Sequence, residues 1–342
     1  MTTAYLYSPV FLEHEEPGHP ESPERLRQVM QALDDSGVLS RIVALAPVPA
    51  TDAQITAVHA PEHLARIQNI VARGGGHLDP DTYTNPRSLD AARLAPGAVI
   101  RAVDGVMAHE IDNAFALVRP PGHHATRDCA MGFCLLNNIA IGAQHALDAH
   151  RLERVLIVDY DVHHGNGTQD IFYRTSRVLY FSTHQYPYYP GTGNWNEIGE
   201  GEGAGFTVNV PFPPGIGDDG YQRAFEELLF PLAERYRPQL VLASVGFDAH
   251  WRDPLAMENL SIAGYVSLAR TLVEISREMC DGRIVFLLEG GYDLDAVSLG
   301  VIATTRVLLG DSDIPDPLGP SKRAERDIGD YIEQLKAMHR LV

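Results

Sequence analysis

The stretch 155–168, VLIVDYDVHHGNGT, starts as an apolar strand and ends in two carboxylates and two imidazoles. Asp159, Asp161 and His163 alternate, so in an extended chain they share one side. Carboxylate oxygen with imidazole nitrogen suits a divalent transition ion, zinc above all. Two ligands are not a site, and Asp248, at the end of LVLASVGFD, is the natural third. Three protein ligands leave one position for water or substrate, as a catalytic zinc requires. Taken singly, the aspartates read as turn caps and His163 as a satisfied polar residue. Taken together at a buried strand end, they are costly unless a cation compensates them.

Two aspartates neutralise a divalent ion, so its water is acidified less than in an all-histidine site, and the pattern asks for a separate general base. PGHHATRDCAMGFC (121–134) offers His123 and His124 in a loop rich in Gly and Pro. Histidine titrates near neutral pH, which fits acid–base work. An ordinary surface loop is the competing reading of that pair. EGGYD (289–293) presents Tyr292 after two glycines, as a flexible hinge or a close-approach loop. A phenol can donate to the oxyanion formed when a carbonyl is attacked. A turn residue at the rim is the alternative.

These residues need a scaffold. Apolar runs of strand length recur at 114–118, 154–160, 177–182, 206–210, 240–245 and 283–289. Stretches with helical spacing lie between several of them, at 136–150, 221–237 and 261–280. Apolar strands alternating with helices predict an α/β fold, a central parallel sheet with helices on both faces. GGG at 74–76 and PFPPGIGDDG at 211–220 read as loops. With no repeat or linker, residues 1–342 read as one domain. Ligands of such sheets bind beyond the carboxyl ends of the strands. The candidate residues follow the ends of four such runs.

The formal net charge of −18 leaves no footprint for a phosphate backbone, so direct nucleic-acid binding is not expected. It would attract cations. The three cysteines, Cys129, Cys134 and Cys280, suggest neither a disulfide framework nor a zinc knuckle. No signal peptide or bilayer-spanning run is visible, so a cytoplasmic protein with no membrane partner is expected.

The ordered motifs GHPESPERL (18–26), RPPGHHA, GFCLLNN, DYDVHHGNGTQDIF, YYPGTG, VGFDAH and LEGGYDL resemble the histone deacetylase superfamily of zinc amidohydrolases, which includes acetylpolyamine amidohydrolases. The resemblance covers nearly the whole chain and implies an arginase-like α/β domain. It also implies one zinc ion per chain on Asp161, His163 and Asp248, with potassium or sodium as structural ions. His124 would be the principal general base and acid, His123 its electrostatic partner, Asp159 the carboxylate orienting His123, and Tyr292 the carbonyl polariser. A monovalent cation would lie among Asp159, Asp161, His163, Ser182 and Thr183. A second would take backbone oxygens of Phe172, Thr175, Val178 and Phe206. Gly132 and Phe133 match one channel wall, and Tyr189 the opposite wall, where most relatives carry phenylalanine.

The partner of the second histidine is Asn166, as in the class II and bacterial deacetylase-like branch, rather than aspartate. A neutral partner lets His124 stay neutral more readily. The implied reaction is hydrolysis of an N-acetyl or longer acyl amide by a metal-bound water. Leu255 stands where polyamine-selective eukaryotic relatives carry a glutamate, which favours acetyl-lysine. An acetylated small amine is the alternative substrate, and Asp81, in DPDTY, is a candidate rim acid or a plain turn residue. A two-metal ureohydrolase would need further carboxylates, but Ala249-His250 follow Asp248. A non-catalytic acyl-lysine binding protein should have lost a ligand, a histidine or the tyrosine, and all are present. Homo-oligomerisation and the identity of the native metal, zinc or iron or cobalt, are left open.

Overall fold

Residues 155–159 and 240–245 are buried at every position, so both faces of these strands must be covered. Parallel packing between helical layers does this. The structure, a computed structural model, describes residues 1–341. Its strands are β1 (Thr3–Leu6), β2 (Val43–Ala44), β3 (Gly76–Asp79), β4 (Thr82–Thr84) and β5 (Asn113–Ala116). They continue with β6 (Val155–Asp159), β7 (Val178–Gln185), β8 (Thr207–Phe212), β9 (Leu240–Val245) and β10 (Ile284–Leu288). Among the described residues, eight strands form one sheet in the order β2-β1-β5-β10-β9-β6-β7-β8, and all its pairings are parallel. The expected α/β architecture is therefore the observed one.

The order of strands explains how distant segments meet. β5, β10, β9 and β6 are neighbours in space although far apart in sequence. They are the same strands whose ends carry the histidine pair, the tyrosine loop, Asp248 and the aspartate–histidine segment. Strand order reverses here, and crevices of open α/β sheets form at such points.

Local chemistry sets the element ends. The helix Asn138–Ala149 begins at Asn137, whose side chain accepts from Ala140 N–H at 3.0 Å. Ser261 caps the helix Ile262–Met279 in the same way, through Gly264 N–H at 3.1 Å. The expected helix at 221–237 is broken up: Asp218–Ala224, a wide π segment Phe225–Leu229, and Phe230–Tyr236. Pro231, in the first turn of the last piece, has no N–H to continue a regular ladder.

Two loops also turn out shorter than expected. Gly76 opens β3, and β3 pairs antiparallel with β4 in a hairpin. Pro211 and Phe212 belong to β8, and a helix begins at Asp218. β1 and β2 have no counterpart among the apolar runs. The first is four residues long and the second is two exposed residues.

A charged cluster is buried at one end of the core. Glu21 accepts from Arg119 through both its carboxylate oxygens and from Arg25 at 3.1 Å. Arg25 also donates to the carbonyls of Gly291, at 2.7 Å, and Glu289, at 2.6 Å. The cluster therefore ties the N-terminal region to β5 and to the tyrosine loop. Burial alone would raise the Glu21 carboxyl, but Arg119 and Arg25 outweigh it and hold it down at about 2. A depressed carboxyl stabilises the fold above its unfolded value and loses that contribution as pH falls toward the folded one. Glu21→Gln strands buried guanidinium charge, so a loss of about 3–5 kcal/mol at pH 7 is expected. Denaturant melts should show the gap to the wild type closing between about pH 4.5 and pH 2. A gap that does not change with pH would remove the ion cluster as its cause.

Candidate active site

β6 ends at Asp159, so the extended-chain reading of Asp159, Asp161 and His163 holds only for the first of them. Beyond it the chain turns on its own acids. Asp159 Oδ1 accepts from Asp161 N–H at 3.3 Å, and Asp161 Oδ1 accepts from His163 N–H at 2.9 Å. These Asx-type turns separate the side chains. Asp159 faces His123 and the Tyr180 hydroxyl, each at 3.1 Å. Asp161 and His163 face Asp248 instead.

His163 Nδ1 lies 3.2 Å from Asp161 Oδ1 and 3.3 Å from Asp248 Oδ2. The ligand atoms of these three residues all fall within 4.8 Å of one another. Backbone N–H groups hold both carboxylates, Asp161 through both of its oxygens and Asp248 through one. Asp161 Oδ2 accepts from Gly290 N–H at 2.8 Å, and Asp248 Oδ1 accepts from Val162 N–H at 3.0 Å. Asp248 Oδ2 is buried and has no hydrogen-bond partner among the described residues. At Gly290 a Cβ would lie 2.2 Å from that same oxygen, so only glycine lets the backbone pass. Burial works against a charged His163, but the Asp161 and Asp248 carboxylates beside it outweigh this and raise it to about 10. The same field favours a divalent cation. Two carboxylates and one imidazole whose ligand atoms converge in this way fit zinc.

The histidine pair is not a surface loop, since His123 is 3% and His124 4% exposed. Their environments are pushed in opposite directions. Burial disfavours charge on His123, but Asp159 and Asp161 overcome it and raise it to about 10. Burial and the charges of His123 and His163 together hold His124 well below its ordinary value. His124 Nδ1 is 2.8 Å from Asn166 Oδ1, while Asn166 Nδ2 lies 3.4 Å from the His124 carbonyl. That assignment makes Asn166 Oδ1 the acceptor and Nδ1–H the donor. It leaves Nε2 of a neutral His124 with a free lone pair, which is what a base needs.

A narrow cavity of about 80 Å³ joins these groups to solvent, lined among others by His123, His124, Asp161, His163 and Tyr292. It is far smaller than the ~300–1,000 Å³ of pockets for drug-sized ligands and suits one slim chain. Gly132, Phe133, Tyr189, Leu255 and Asp81 line it as well, so the expected channel residues are all brought together. Tyr189 meets the His124 ring edge-on at 5.1 Å, and Phe133 meets Tyr292 at 6.0 Å. At Gly132 a Cβ would lie 2.4 Å from the His124 ring, so a larger residue would displace it. Asp81 is both a turn residue and a rim residue: it sits between β3 and β4, and its N–H donates to Asp79 Oδ1 at 3.0 Å. Burial and the neighbouring Asp79 raise its carboxyl.

For the monovalent cations, Asp159 and Ser182 are register partners on β6 and β7. The Phe172 and Phe206 carbonyls already accept from Thr175 N–H, at 3.2 Å, and Tyr180 N–H, at 2.9 Å. Each retains a second lone pair. Phe206 borders a larger cavity of about 800 Å³ with Arg154, at the amino ends of the strands and away from the histidine pair.

Several supporting residues escape sequence reasoning. Asp253 Oδ2 accepts from the N–H groups of Tyr292, at 2.6 Å, and Asp293, at 3.1 Å, while its Oδ1 takes Leu255 N–H at 2.9 Å. It fixes the tyrosine loop to the channel wall. Burial first, and Asp248 next, raise its carboxyl to about 7. Glu289 Oε2 accepts from Gly122 N–H at 2.6 Å, and its Oε1 from the Ser244 hydroxyl at 2.9 Å. EGGYD is thus a clamped, close-approach loop and not a free hinge. Tyr188 stacks on His163 at 5.7 Å and donates to the Leu255 carbonyl at 2.8 Å. An acid two residues before Leu255, in RDPLA, was the available signal for Asp253.

The polar cluster therefore lies at the switch point of a parallel α/β sheet, where such folds bind ligands. The family model described as "Histone deacetylase domain" matches residues 19–308, and the chain belongs to that family. It is 43% identical to the Archaeoglobus fulgidus protein named "Probable deacetylase", over 89% of this chain and 86% of that one. It is 42% identical to the "Histone deacetylase-like amidohydrolase" of Pseudomonas aeruginosa, over 88% of this chain and 80% of the other. Among solved structures, the HDA15 HD domain superposes with a TM-score of 0.90 at 37% identity, covering 99% of this chain and 94% of that one. Such relatives support amide deacetylation as the general activity. No helix among the described residues is long and apolar enough to cross a membrane.

Proposed function

We propose that this chain is one deacetylase domain that hydrolyses acetyl-lysine amides, or closely similar acyl amides, with zinc held by Asp161, His163 and Asp248. The observation that carries the reading is the pair of opposed histidine environments beside three converging ligand atoms. Zinc bound there supplies Lewis acidity toward the acyl carbonyl oxygen and the attacking water. His124 Nε2 takes a proton from that water as its oxygen adds to the carbonyl carbon. The same nitrogen returns the proton to the departing amine as the C–N bond breaks, leaving acetate and a free amine. His123, held by Asp159, keeps positive charge beside the developing oxyanion. Potassium or sodium near Asp159 and Ser182, and near Phe206, belongs to the same proposal as a structural ion.

Tyr292 donates its phenol to the carbonyl oxygen. Burial holds that phenol well above its ordinary value, so it stays protonated, and the Arg25 guanidinium stacks 5.2 Å from the ring centre. Tyr292→Phe is expected to lower kcat about 100- to 1,000-fold with little change in KM, as removal of one oxyanion donor does. Steady-state kinetics decide it, and an unchanged kcat would remove the hydroxyl from the mechanism.

The substrate reading follows from the slot. Phe133 and Tyr189 line a narrow cavity of about 80 Å³, and Leu255 adds no charge to it. One observation favours an acetylpolyamine instead: Asp81 lines the cavity with Asp79 next to it, and together they would attract a cationic amine. The deciding measurement is kcat/KM for an acetyl-lysine peptide against N-acetylputrescine, on metal-quantified protein. We expect the peptide to be preferred. A strong preference for the putrescine would transfer the assignment to polyamines and give the rim acids the leading role.

A further inference from the structure

The helices Ser88–Met107 and Asn138–Ala149 carry a second convergence of ligand atoms, outside the catalytic cavity. His145 Nε2 and His150 Nε2 each lie 2.7 Å from the same oxygen, Asp104 Oδ1. We propose that Asp104, His145 and His150 form a peripheral site for a divalent transition cation of the zinc class, which staples the two helices together.

The donor set is two imidazoles and one carboxylate, the mixture that zinc and its neighbours accept, with positions left over for water. All three residues are partly exposed, with side chains 44%, 14% and 25% accessible for Asp104, His145 and His150. A cation can therefore enter from solvent and keep ligating waters. The strongly negative chain raises the local concentration of cations.

The backbones are already fixed. At Gly142, three residues before His145, a Cβ would lie 2.3 Å from the Val99 side chain, so the helices touch there without spacer atoms. His150 is the residue that ends its helix, and Asp104 sits in the last turn of the other. The three groups thus meet from two rigid elements without any loop needing to fold over them.

The competing account is a hydrogen-bonded triad, in which both imidazoles are protonated at Nε2 and donate to one oxygen. Zinc bonds of about 2.0–2.1 Å to tetrahedral ligands place the ligand atoms about 3.3 Å apart. The observed spacing needs outward shifts of about half an ångström, which exposed side chains can make. Metal binding would require the lone pair at each Nε2 in place of the proton.

The test is zinc stoichiometry on untagged protein, stripped with chelator, equilibrated with micromolar zinc and analysed for metal. Two zinc ions per chain are expected in the wild type, and one in His145→Gln, in Asp104→Asn and in the His145→Gln/His150→Gln pair. The double variant should lose the zinc-dependent rise in Tm that the peripheral site adds, while keeping deacetylase activity. Asp161→Ala should also hold one ion, now at the periphery, so this proposal and the catalytic zinc can fail separately. A wild-type count that none of the peripheral substitutions lowers would overturn the peripheral site. Circular dichroism on each variant keeps misfolding from counting as loss of a site.

Discussion

His124→Ala is expected to lower kcat by about 100- to 10,000-fold, the usual contribution of a positioned general base and acid. Metal content should be unchanged, because His124 is bonded to Asn166 and not to the three ligand residues. His124 is the neutral member of its pair. Burial and the charged imidazole of His123 keep it so, while the Asn166 oxygen fixes its proton on Nδ1. His123 cannot substitute, because Asp159 and Asp161 outweigh its burial and push it up to about 10. Steady-state kinetics with metal analysis of the same sample decide the matter. A variant that kept most of its kcat would place the base elsewhere.

Asp161→Ala should remove both catalytic metal and turnover. Asp161 does more than offer one oxygen. Its Oδ1 accepts from His163 N–H, and its Oδ2 from Gly290 N–H. Its loss should loosen the histidine ligand and the tyrosine loop together. Asp248 would be left as a buried acid with a single imidazole for company. We expect activity below detection at zinc concentrations that saturate the wild type, read by acetate release and metal analysis. A variant whose activity returned at modest zinc would show that the other two ligands suffice.

The sequence carried the site better than its surroundings, for physical reasons. LVLASV reads as a strand because every position is apolar or small, and β9 spans that stretch end to end. The positions of Asp161, His163 and Asp248 follow from strand ends, because parallel sheets present them at one edge. Burial of the histidine pair could not be read, because nothing in PGHHA shows that Glu289, far away in sequence, will hold its backbone. β1, β2 and the β3–β4 hairpin were missed because strands of a few residues leave no apolar run. Asp253 and Glu289 were missed because an acid beside a turn looks the same whether it caps its own turn or binds a distant loop. Asp159 alternates with Asp161 and His163 in sequence but not in space, since Asx turns begin where β6 ends.

The most direct test of the metal-dependent deacetylase reading is acetate release from an acetyl-lysine peptide by one protein sample in three states: zinc-loaded, chelated, and reloaded with zinc. The account predicts turnover in the first, none in the second and recovery in the third. Turnover that survived complete removal of metal from Asp161, His163 and Asp248 would contradict it.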